Sequence, residues 1–301
     1  MSTLKFSIIV PVLNGRNYIE DSLRSILSQC GDFNIECIVM DGGSTDGTQE
    51  LVRDYIEGIN CGEYKVGCEG IDLALHSDAD RGMYDAVAKG FQVASGDIYA
   101  WLNADDVYLP GAFSIVAASF SKYSDVKWLK GITSYINDQG ESDGSGRCNL
   151  YTREWIQKGY YGRELYFIQQ DSVFWRSELW AKVGNIPLEY RLAGDYYLWL
   201  EFSKHEPLYS LNYHVSNFRH VNGQLSENMA LYQHEVRSIS TAHPFSGFLA
   251  RLYFRFFSNN NGFARLLCRL LFDGHQYQAI TLRGEKLTLV SGDYFTVKNQ
   301  L

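Results

Sequence analysis

The chain has 301 residues, of which 46% are hydrophobic and 21% charged, so it fits a globular protein of one large domain or two small ones. Its net charge of -8 excludes nucleic acid as a partner of the protein body. No apolar run approaches the roughly 18 residues of a membrane span, and the short stretch 6–13 is not expected to act as a signal peptide. Six cysteines without a Cys-x-x-Cys pair predict free thiols in a reducing, cytoplasmic compartment.

The first part of the chain alternates between two kinds of hydrophobic pattern. Residues 6–10 form a β-branched run that predicts a first strand, and residues 35–40 predict a second, buried strand. Between them, apolar residues recur at helical spacing, namely Ile19, Leu23, Ile26 and Leu27. A further helical pattern and a third strand at 71–75 follow. This alternation predicts an α/β fold with a parallel sheet and right-handed crossovers.

The segment after the second strand is the first candidate ligand loop. It begins at Asp41 and reads Asp-Gly-Gly-Ser-Thr-Asp-Gly-Thr. The glycines let a ligand approach the backbone closely, and the Asp41 carboxylate suits a ribose hydroxyl or a base N–H. The segment is neither a P-loop, because no Gly-Lys-Ser/Thr follows, nor a G-x-G-x-x-G fingerprint. A tight turn capped by Asp41 is the structural alternative.

The stretch from Asp80 to Asp106 holds the second candidate. An amphipathic helix from Met83 to Ala94 precedes a continuous apolar run at 98–102, as a strand buried on both faces would show. The run stops at Asn103-Ala104-Asp105-Asp106, where two adjacent carboxylates are costly to bury without a partner. Because strand ends of an open α/β sheet bind ligands, a divalent cation shared with a phosphate is the simplest explanation. A solvated turn is the alternative.

The downstream half contains a third carboxylate, Asp195. Residues 108–120 predict a helix, 126–136 strands, 137–149 a loop, and 208–221 a strand. Between these, Asp195, Leu198, Trp199 and Phe202 share one face of a helix, which places Asp195 on an apolar face in the first turn. Asp195 is either a general base, whose pKa burial would raise, or a first-turn residue that answers the helix dipole.

Four motifs in this order resemble the family-two glycosyltransferases over roughly residues 5 to 225. They are Pro11-Val12-Leu13-Asn14, Asp41 to Thr48, Asp80 to Ala86, and Leu102 to Asp106. The resemblance implies a type-A nucleotide-sugar-binding fold, inverting sugar transfer, and a Mn²⁺ or Mg²⁺ ion on the diphosphate. The chain departs from many members at Gly42, where they carry a second acid, and at Asn103, the first position of the metal-binding DXD.

The resemblance also implies roles for individual residues. Asp195 matches the acidic base at the start of a helix, and Gln170 matches a glutamine that faces the acceptor, with Trp199 as a second acceptor contact. The expected metal ligands are Asp105, Asp106 and His220. His220 follows Arg219 in the sequence and, apart from the resemblance, could reach the diphosphate as a metal ligand or as a donor; a structural role is its alternative. The expected donor-binding residues are Pro11, Asn14, Asp41, Asp80, Arg81, Asn103, Ala104 and Asp105.

These expectations define a fold and a function. We expect a type-A glycosyltransferase domain at 1–225, with a mostly parallel central sheet flanked by helices, a donor half at 1–106 and an acceptor half at 107–225. The expected reaction moves a sugar, most simply from a UDP-sugar, to a glycan or lipid-linked acceptor in surface polysaccharide synthesis. The alternatives are a non-catalytic nucleotide-sugar-binding scaffold and a sugar-1-phosphate nucleotidyltransferase. The latter would require a Gly-rich basic loop near the first strand, where this chain has only Gly15-Arg16.

The C-terminal region 226–301 is expected to be a helical extension. Two apolar stripes occur between residues 248 and 272, each flanked by arginines one turn apart. Paired basic amphipathic helices suit a membrane surface, so the pattern predicts that this segment attaches the protein to the inner face of the cell membrane. Docking on the catalytic domain, or on a second subunit of a homodimer, is the alternative.

Overall fold

The computed structural model describes residues 3–240 and 276–301. Its strands are β1 (Leu4–Val12), β2 (Gly31–Asp41), β3 (Cys68–Ser77), β4 (Ile98–Trp101), β5 (Val107–Tyr108), β6 (Trp128–Ile136), β7 (Ser142–Ser145), β8 (Val173–Arg176), β9 (Tyr209–Arg219), β10 (Tyr277–Arg283) and β11 (Lys286–Gly292). Its helices are α1 (Ile19–Leu27), α2 (Thr48–Asn60), α3 (Met83–Val93), α4 (Ala112–Lys122), α5 (Arg153–Gln157), α6 (Ser177–Val183), α7 (Gly194–His205), α8 (Met229–Ile239) and α9 (Tyr294–Lys298).

One large sheet carries these strands in the order β11-β10-β9-β6-β8-β4-β1-β2-β3. The first four long strands are parallel: Val12 of β1 pairs with Asp41 of β2, and Asp41 pairs with Ser77 of β3. β1 is also parallel to β4. The carboxyl ends of these strands therefore meet at one edge, which the α/β prediction requires and which is where such sheets bind ligands.

The sheet is mostly parallel but includes antiparallel strands. β8 runs antiparallel to both of its neighbours, β4 and β6, and β10 and β11 form an antiparallel hairpin. The α/β class with a large, mostly parallel central sheet flanked by helices is thus confirmed, and the strands beyond β4 include antiparallel members. Hydrophobic pattern alone does not encode strand direction, because a buried strand reads as the same apolar run in either orientation.

Both faces of the sheet are covered, which explains the continuous apolar strands. In β1, Ile8 and Val10 face a core shared with α1, α2 and α4, whereas Ile9 faces a second core shared with α3 and α7. The second core is rich in aromatic rings. Tyr and Trp side chains from the stretch 151–166 are among its buried members, so that stretch packs in the core.

The C-terminal extension differs from the helical prediction. Its described parts are the helix α8 and residues 276–301, in which β10 lies parallel to β9 and α9 follows the hairpin. Tyr277, Ala279 and Ile280 are buried, so this end of the chain lengthens the sheet. The apolar stripes at 248–272 lie outside the described residues. Among the residues that are described, no helix has the length and apolar character needed to cross a bilayer. The five of the six cysteines that lie in the described residues are free thiols, as predicted.

Candidate active site

Two loops at the carboxyl edge are fastened together by Asn14. Its backbone lies in the left-handed region at φ 53°, which Asn tolerates better than most residues. The Asn14 N–H donates to the hydroxyl of Ser44 at 2.7 Å, and its side-chain oxygen accepts the N–H of Thr45 at 2.9 Å. Pro11, three residues earlier, is buried in β1 opposite Met40. These contacts join the loop after β1 to the loop after β2 and shape one wall of the site.

Asp41 ends β2 and organises the turn that follows. Only 1% of the residue is exposed. Its carboxylate accepts the N–H groups of Gly43 at 3.2 Å and Ser44 at 3.1 Å, and the hydroxyl of Ser77 at 2.7 Å. Gly43 itself has φ +94° and nothing within 4 Å of the position a Cβ would take. The open surface here is therefore glycine backbone, and contact between Asp41 and a nucleoside stays a prediction.

Asp80 explains why Gly follows Asp41. A Cβ added at Gly42 would stand 2.7 Å from Oδ2 of Asp80, so the Asp80 carboxylate occupies the space a second acid would need. The other oxygen of Asp80 accepts the N–H of Gly82 at 2.8 Å. Arg81 is largely exposed at the start of α3, with its guanidinium 3.5 Å from the buried carboxylate of Asp85. Asp80 and Arg81 are thus placed at the same edge as Asp41.

The turn after β4 presents the oxygens of Asn103 and Asp105. The side-chain oxygen of Asn103 is buried and has no hydrogen-bond partner in the described part of the chain. Asp105 is half-buried, and its Oδ2 accepts the side-chain amide of Gln224 at 2.7 Å. Ala104 lies 3.5 Å from where a Cβ of Gly15 would stand, which brings this turn against the loop after β1. An unpaired buried oxygen beside a carboxylate is a suitable place for a donor group or a cation.

Asp106, by contrast, faces inward. Its carboxyl is completely buried, accepts the N–H of Arg219 at 2.9 Å, and receives the Asn103 amide at 3.4 Å. Burial, with the charges of Asp105 and Asp171 nearby, raises its pKa well above the usual value for an aspartic acid. Because its oxygens are buried and bonded to Arg219 and Asn103, the surroundings of Asp106 favour a supporting role, and its metal-ligand role stays a prediction.

Arg219, only 2% exposed, holds this turn in place. Its guanidinium donates to the backbone oxygen of Asp105 at 2.8 Å, the backbone oxygen of Asp138 at 3.2 Å and the carboxylate of Asp21 at 2.8 Å. The sequence pattern by itself assigned Arg219 no supporting role. The sequence feature that could have indicated this role is an arginine at the end of an apolar strand, because a buried guanidinium needs several hydrogen-bond acceptors.

The side chain of His220 has partners other than the proposed metal ligands. Its Nδ1 pairs with the carboxylate of Asp143 at 2.8 Å, and its ring stacks on Tyr135 with centroids 5.3 Å apart. Across residues 3–240 and 276–301, no three His, Cys, Asp or Glu side chains are grouped as metal ligands. The residues present fit a cation only if Asp105 and Asn103 hold it and phosphate oxygens complete its coordination.

The direction of α7 follows from the aromatic core beneath it. Phe202 packs on Trp175 with centroids 5.5 Å apart, and Trp175 pairs with Tyr99 near the start of β4. One helical turn earlier, Trp199 stacks on Trp101 at the end of β4, with centroids 5.7 Å apart. Thus α7 runs antiparallel to β4, and its first turn lies toward the carboxyl edge of the sheet.

This direction brings Asp195 to the level of the Asn103 turn. Asp195 precedes Trp199 by four helical residues, about 6 Å at about 1.5 Å per residue. Asn103 follows Trp101 by two extended residues, a similar rise of about 6.6 Å. The two segments therefore reach the same edge from opposite chain directions, as the family resemblance requires of a base and a donor site.

Asp195 is held by few hydrogen bonds in a partly buried position. Its carboxylate accepts the N–H of Tyr196 at 2.6 Å, and the nearby Tyr84 hydroxyl also lowers its pKa. Burial outweighs both contacts and raises the pKa of Asp195 to about 7. A carboxyl with this pKa suits a general base at neutral pH. The residue before the helix, Ala193, provides no side-chain cap.

Trp199 belongs to the core and not to the acceptor surface. None of the residue is exposed, and its ring lies between Trp101 and Trp128, with centroid distances of 5.7 and 5.9 Å. Its predicted acceptor contact is therefore corrected to a packing role. The side chain shares a helical face with Asp195, but that face turns toward the sheet.

Gln170 lies beside the Asn103 turn. Extending the antiparallel ladder of β4 and β8 from its Tyr99–Trp175 pair places Asp171 opposite Asn103. Both polar atoms of the Gln170 amide are buried and lack a partner in the described part of the chain. An amide left unpaired at a ligand-binding edge is consistent with substrate contact, so the acceptor role of Gln170 stays a prediction.

The fold and this edge define a class of protein before any comparison is made. Loops after β1 and β2, an Asn-Ala-Asp turn after β4 and a carboxyl with a pKa of about 7 suit an enzyme that transfers a group from a phosphate-bearing donor. The family model for glycosyl transferase family 2 matches residues 7–165. The chain therefore belongs to glycosyl transferase family 2 and is an enzyme that transfers glycosyl groups.

Known proteins similar to this chain agree with that assignment. The PGL/p-HBAD biosynthesis glycosyltransferase of Mycobacterium tuberculosis is 30% identical over 200 residues, covering 65% of this chain and 68% of that protein. An uncharacterized glycosyltransferase of Rickettsia prowazekii is 26% identical over 250 residues, covering 82% of this chain and 72% of that protein.

Solved structures share the fold at lower identity. The S. aureus TarS fragment 1–349, in complex with UDP-GlcNAc, gives a TM-score of 0.57 at 17% identity and covers 90% of this chain and 76% of its own. The mannosyltransferase PcManGT from Pyrobaculum calidifontis, in complex with GDP-Man and Mn²⁺, gives 0.55 at 15% identity and covers 90% and 80%. These likenesses support the type-A fold.

Proposed function

We propose that the enzyme is an inverting glycosyltransferase that moves a sugar from a nucleoside-diphosphate sugar to a hydroxyl of a glycan or lipid-linked acceptor. This proposal is carried by the positions of Asp195, at the start of α7, and of the Asn103–Asp105 turn, after β4, which the packing of Trp199 on Trp101 directs toward one edge of the sheet. The first supplies a carboxyl with a pKa of about 7, and the second supplies an unpaired buried oxygen and a carboxylate.

The donor would lie along the loops after β1, β2 and β4. The glycine backbone at Gly43 leaves room for the nucleoside beside Asn14 and Asp41. Asp105 and Asn103 would hold a divalent cation, which neutralises charge on the diphosphate when bound. The solved relatives in complex with UDP-GlcNAc and with GDP-Man and Mn²⁺ support this donor class, with a UDP-sugar as the first choice.

In the transfer step, one bond forms and another breaks on opposite faces of the sugar. The Asp195 carboxylate takes the proton of the acceptor hydroxyl while the acceptor oxygen bonds to the anomeric carbon. The bond from that carbon to the phosphate oxygen breaks on the opposite face, and the nucleoside diphosphate leaves with the electron pair. Attack opposite the leaving group inverts the anomeric configuration. Gln170 lies where its amide would orient the acceptor.

A nucleotide-sugar panel tests the donor assignment. Purified enzyme is incubated with UDP-, GDP- and dTDP-sugars, with Mn²⁺, with Mg²⁺ or with EDTA, and released nucleoside diphosphate is measured. We expect slow hydrolysis of one sugar class that depends on the cation. Equal hydrolysis in EDTA would contradict the cation, and no hydrolysis of any nucleotide sugar would contradict the donor class.

The acceptor side is proposed from a relative and from the C-terminal sequence. The similar mycobacterial protein is named for PGL/p-HBAD biosynthesis, which favours a lipid-linked or surface glycan acceptor. Arg251, Arg255, Arg265 and Arg269 flank the apolar stripes of 248–272 and would bind anionic lipid at the cytoplasmic face. Truncation is unsuitable as a test, because β10 beyond this segment joins the sheet.

Liposome flotation with the four arginines changed to glutamine tests this location. We expect the native enzyme to float with anionic vesicles and the variant to stay at the bottom, while both sediment with neutral vesicles. If the native enzyme also stays at the bottom with anionic vesicles, the stripes are packing elements or the contact of a homodimer.

A further inference from the structure

A buried glutamate from α8 reaches the segment that precedes Asp195. Glu235 is only 7% exposed. Its Oε1 accepts the N–H of Arg191 at 3.0 Å, and its Oε2 accepts the N–H groups of Leu192 at 2.9 Å and Ala193 at 2.8 Å. One carboxylate thus receives three consecutive backbone N–H groups from a segment more than 40 positions earlier in the chain.

These bonds compensate for burying the glutamate and fix the start of α7. A buried carboxylate is costly unless donors satisfy both oxygens, and here backbone donors do so. The next residue, Gly194, is pressed against the other side: a Cβ there would stand 2.7 Å from the Tyr84 ring. The Tyr84 hydroxyl also donates to the backbone oxygen of Leu192 at 2.7 Å. The chain entering α7 is therefore held between α3 and α8, directly before Asp195.

The same arrangement acts on the charge of Asp195. The groups that face it are the Tyr84 hydroxyl from α3, the Tyr196 N–H from α7, and Glu235 with the buried Tyr232 from α8. The negative charge of Glu235 adds to burial in raising the pKa of Asp195, whereas the Tyr84 hydroxyl and the Tyr196 N–H lower it. Removing that charge would make Asp195 ionise at lower pH.

We propose that Glu235 is a positioning residue for sugar transfer, which locks residues 191–193 and so holds the Asp195 carboxyl at the carboxyl edge of the sheet. This inference rests on the proposed role of Asp195 as the base. It adds a residue that touches neither sugar nor nucleotide, and it gives α8 a role in the reaction.

Kinetics of Glu235→Gln test the proposal. The glutamine keeps one acceptor oxygen but points an N–H at a backbone N–H, so the lock loosens. A misplacement near 1 Å costs about 10²-fold in rate, so we expect kcat to fall about ten- to hundredfold. Affinity for the nucleoside diphosphate should stay native, because the Asn103–Asp105 turn is untouched. The acid limb of kcat should move to lower pH. The matched control is Glu57→Gln, which changes an exposed glutamate on α2. This variant should leave kcat, nucleoside diphosphate affinity and the acid limb of kcat unchanged.

Amide exchange of the same variants gives a readout independent of activity. Hydrogen–deuterium exchange of a peptide spanning residues 191–193 should speed up in Glu235→Gln and be partly restored in Glu235→Asp. Unchanged exchange in a folded Glu235→Gln would overturn the lock, as would a native kcat with an unmoved acid limb. Failure of Asp195 as the base would instead appear as native transfer by Asp195→Asn, and the exchange result would still decide whether the lock exists.

Discussion

Asp41 is a buried carboxylate and Asp195 a partly buried one, and the two are hydrogen-bonded differently. Asp41 accepts N–H groups two and three positions ahead in its own turn, plus the Ser77 hydroxyl. Asp195 accepts one adjacent N–H, and Tyr84, whose hydroxyl lowers the pKa of Asp195, lies on a different helix. The donor side of the site is therefore a well-bonded loop, whereas the base side keeps a carboxyl short of donors.

The difference indicates that one carboxylate maintains the shape of a loop and the other provides a reactive base. A carboxylate bonded by several donors is stable as an anion and serves to hold a loop. A buried carboxyl with few donors holds its proton more strongly, and its anion is a better base. The consequences can be measured by removing, replacing or titrating the two kinds of carboxyl.

The largest effect is expected for Asp195→Asn. The amide cannot accept the acceptor's proton, and positioned proton transfer contributes about 10²- to 10⁴-fold, so transfer should fall by that factor. Nucleoside diphosphate affinity should stay within about twofold, since every donor-side contact remains. The measurement is sugar transfer at saturating donor, with calorimetry as the control. A near-native transfer rate would assign Asp195 to stabilising the first turn of α7.

Asp105→Asn should give the next largest effect. It removes the half-buried carboxylate proposed to bind the cation, and a charge-assisted contact is worth about 1.5–3 kcal/mol, or about ten- to hundredfold in affinity. Titration of the nucleoside diphosphate with Mn²⁺ present measures the loss, and the same titration in EDTA is the control. Unchanged affinity in Mn²⁺ would remove Asp105 from the cation site.

The pH dependence should be smaller but specific to the base side. Asp195 acts as a base only when deprotonated, and its pKa is about 7, so kcat should rise with pH through 7 and level off above 8. For a single ionisation the rise between pH 6 and pH 8 is about tenfold. Donor affinity over the same range provides the comparison. A kcat that is flat from pH 5 upward would place the base pKa near the ordinary value for Asp.

The smallest effect is expected for Asp106→Asn, the neighbour of Asp105. Its carboxyl is completely buried, and Asn can still accept the Arg219 N–H. Mn²⁺-dependent affinity should therefore change less than about threefold, equivalent to under about 1 kcal/mol. A loss as large as that of Asp105→Asn, in a variant with a native thermal unfolding curve, would return Asp106 to the cation site.

The sequence alone determined the α/β class, the position of β1, β2 and β4, and the three segments that carry Asp41, Asp105 and Asp195. These features depend on local pattern: apolar runs, glycine turns and carboxylates that follow directly in the chain. The family resemblance added an order to these segments, and the family assignment is confirmed.

Only the tertiary structure decided which side chains face the edge and which support it. Asp105 and Asp106 are adjacent in sequence, yet the first meets Gln224 and the second is buried under Arg219. The antiparallel direction of β8 and the reach of Glu235 to Arg191 likewise depend on segments distant in sequence. Such contacts leave no local pattern, because each is formed by packing between elements whose own periodicity is satisfied by many arrangements.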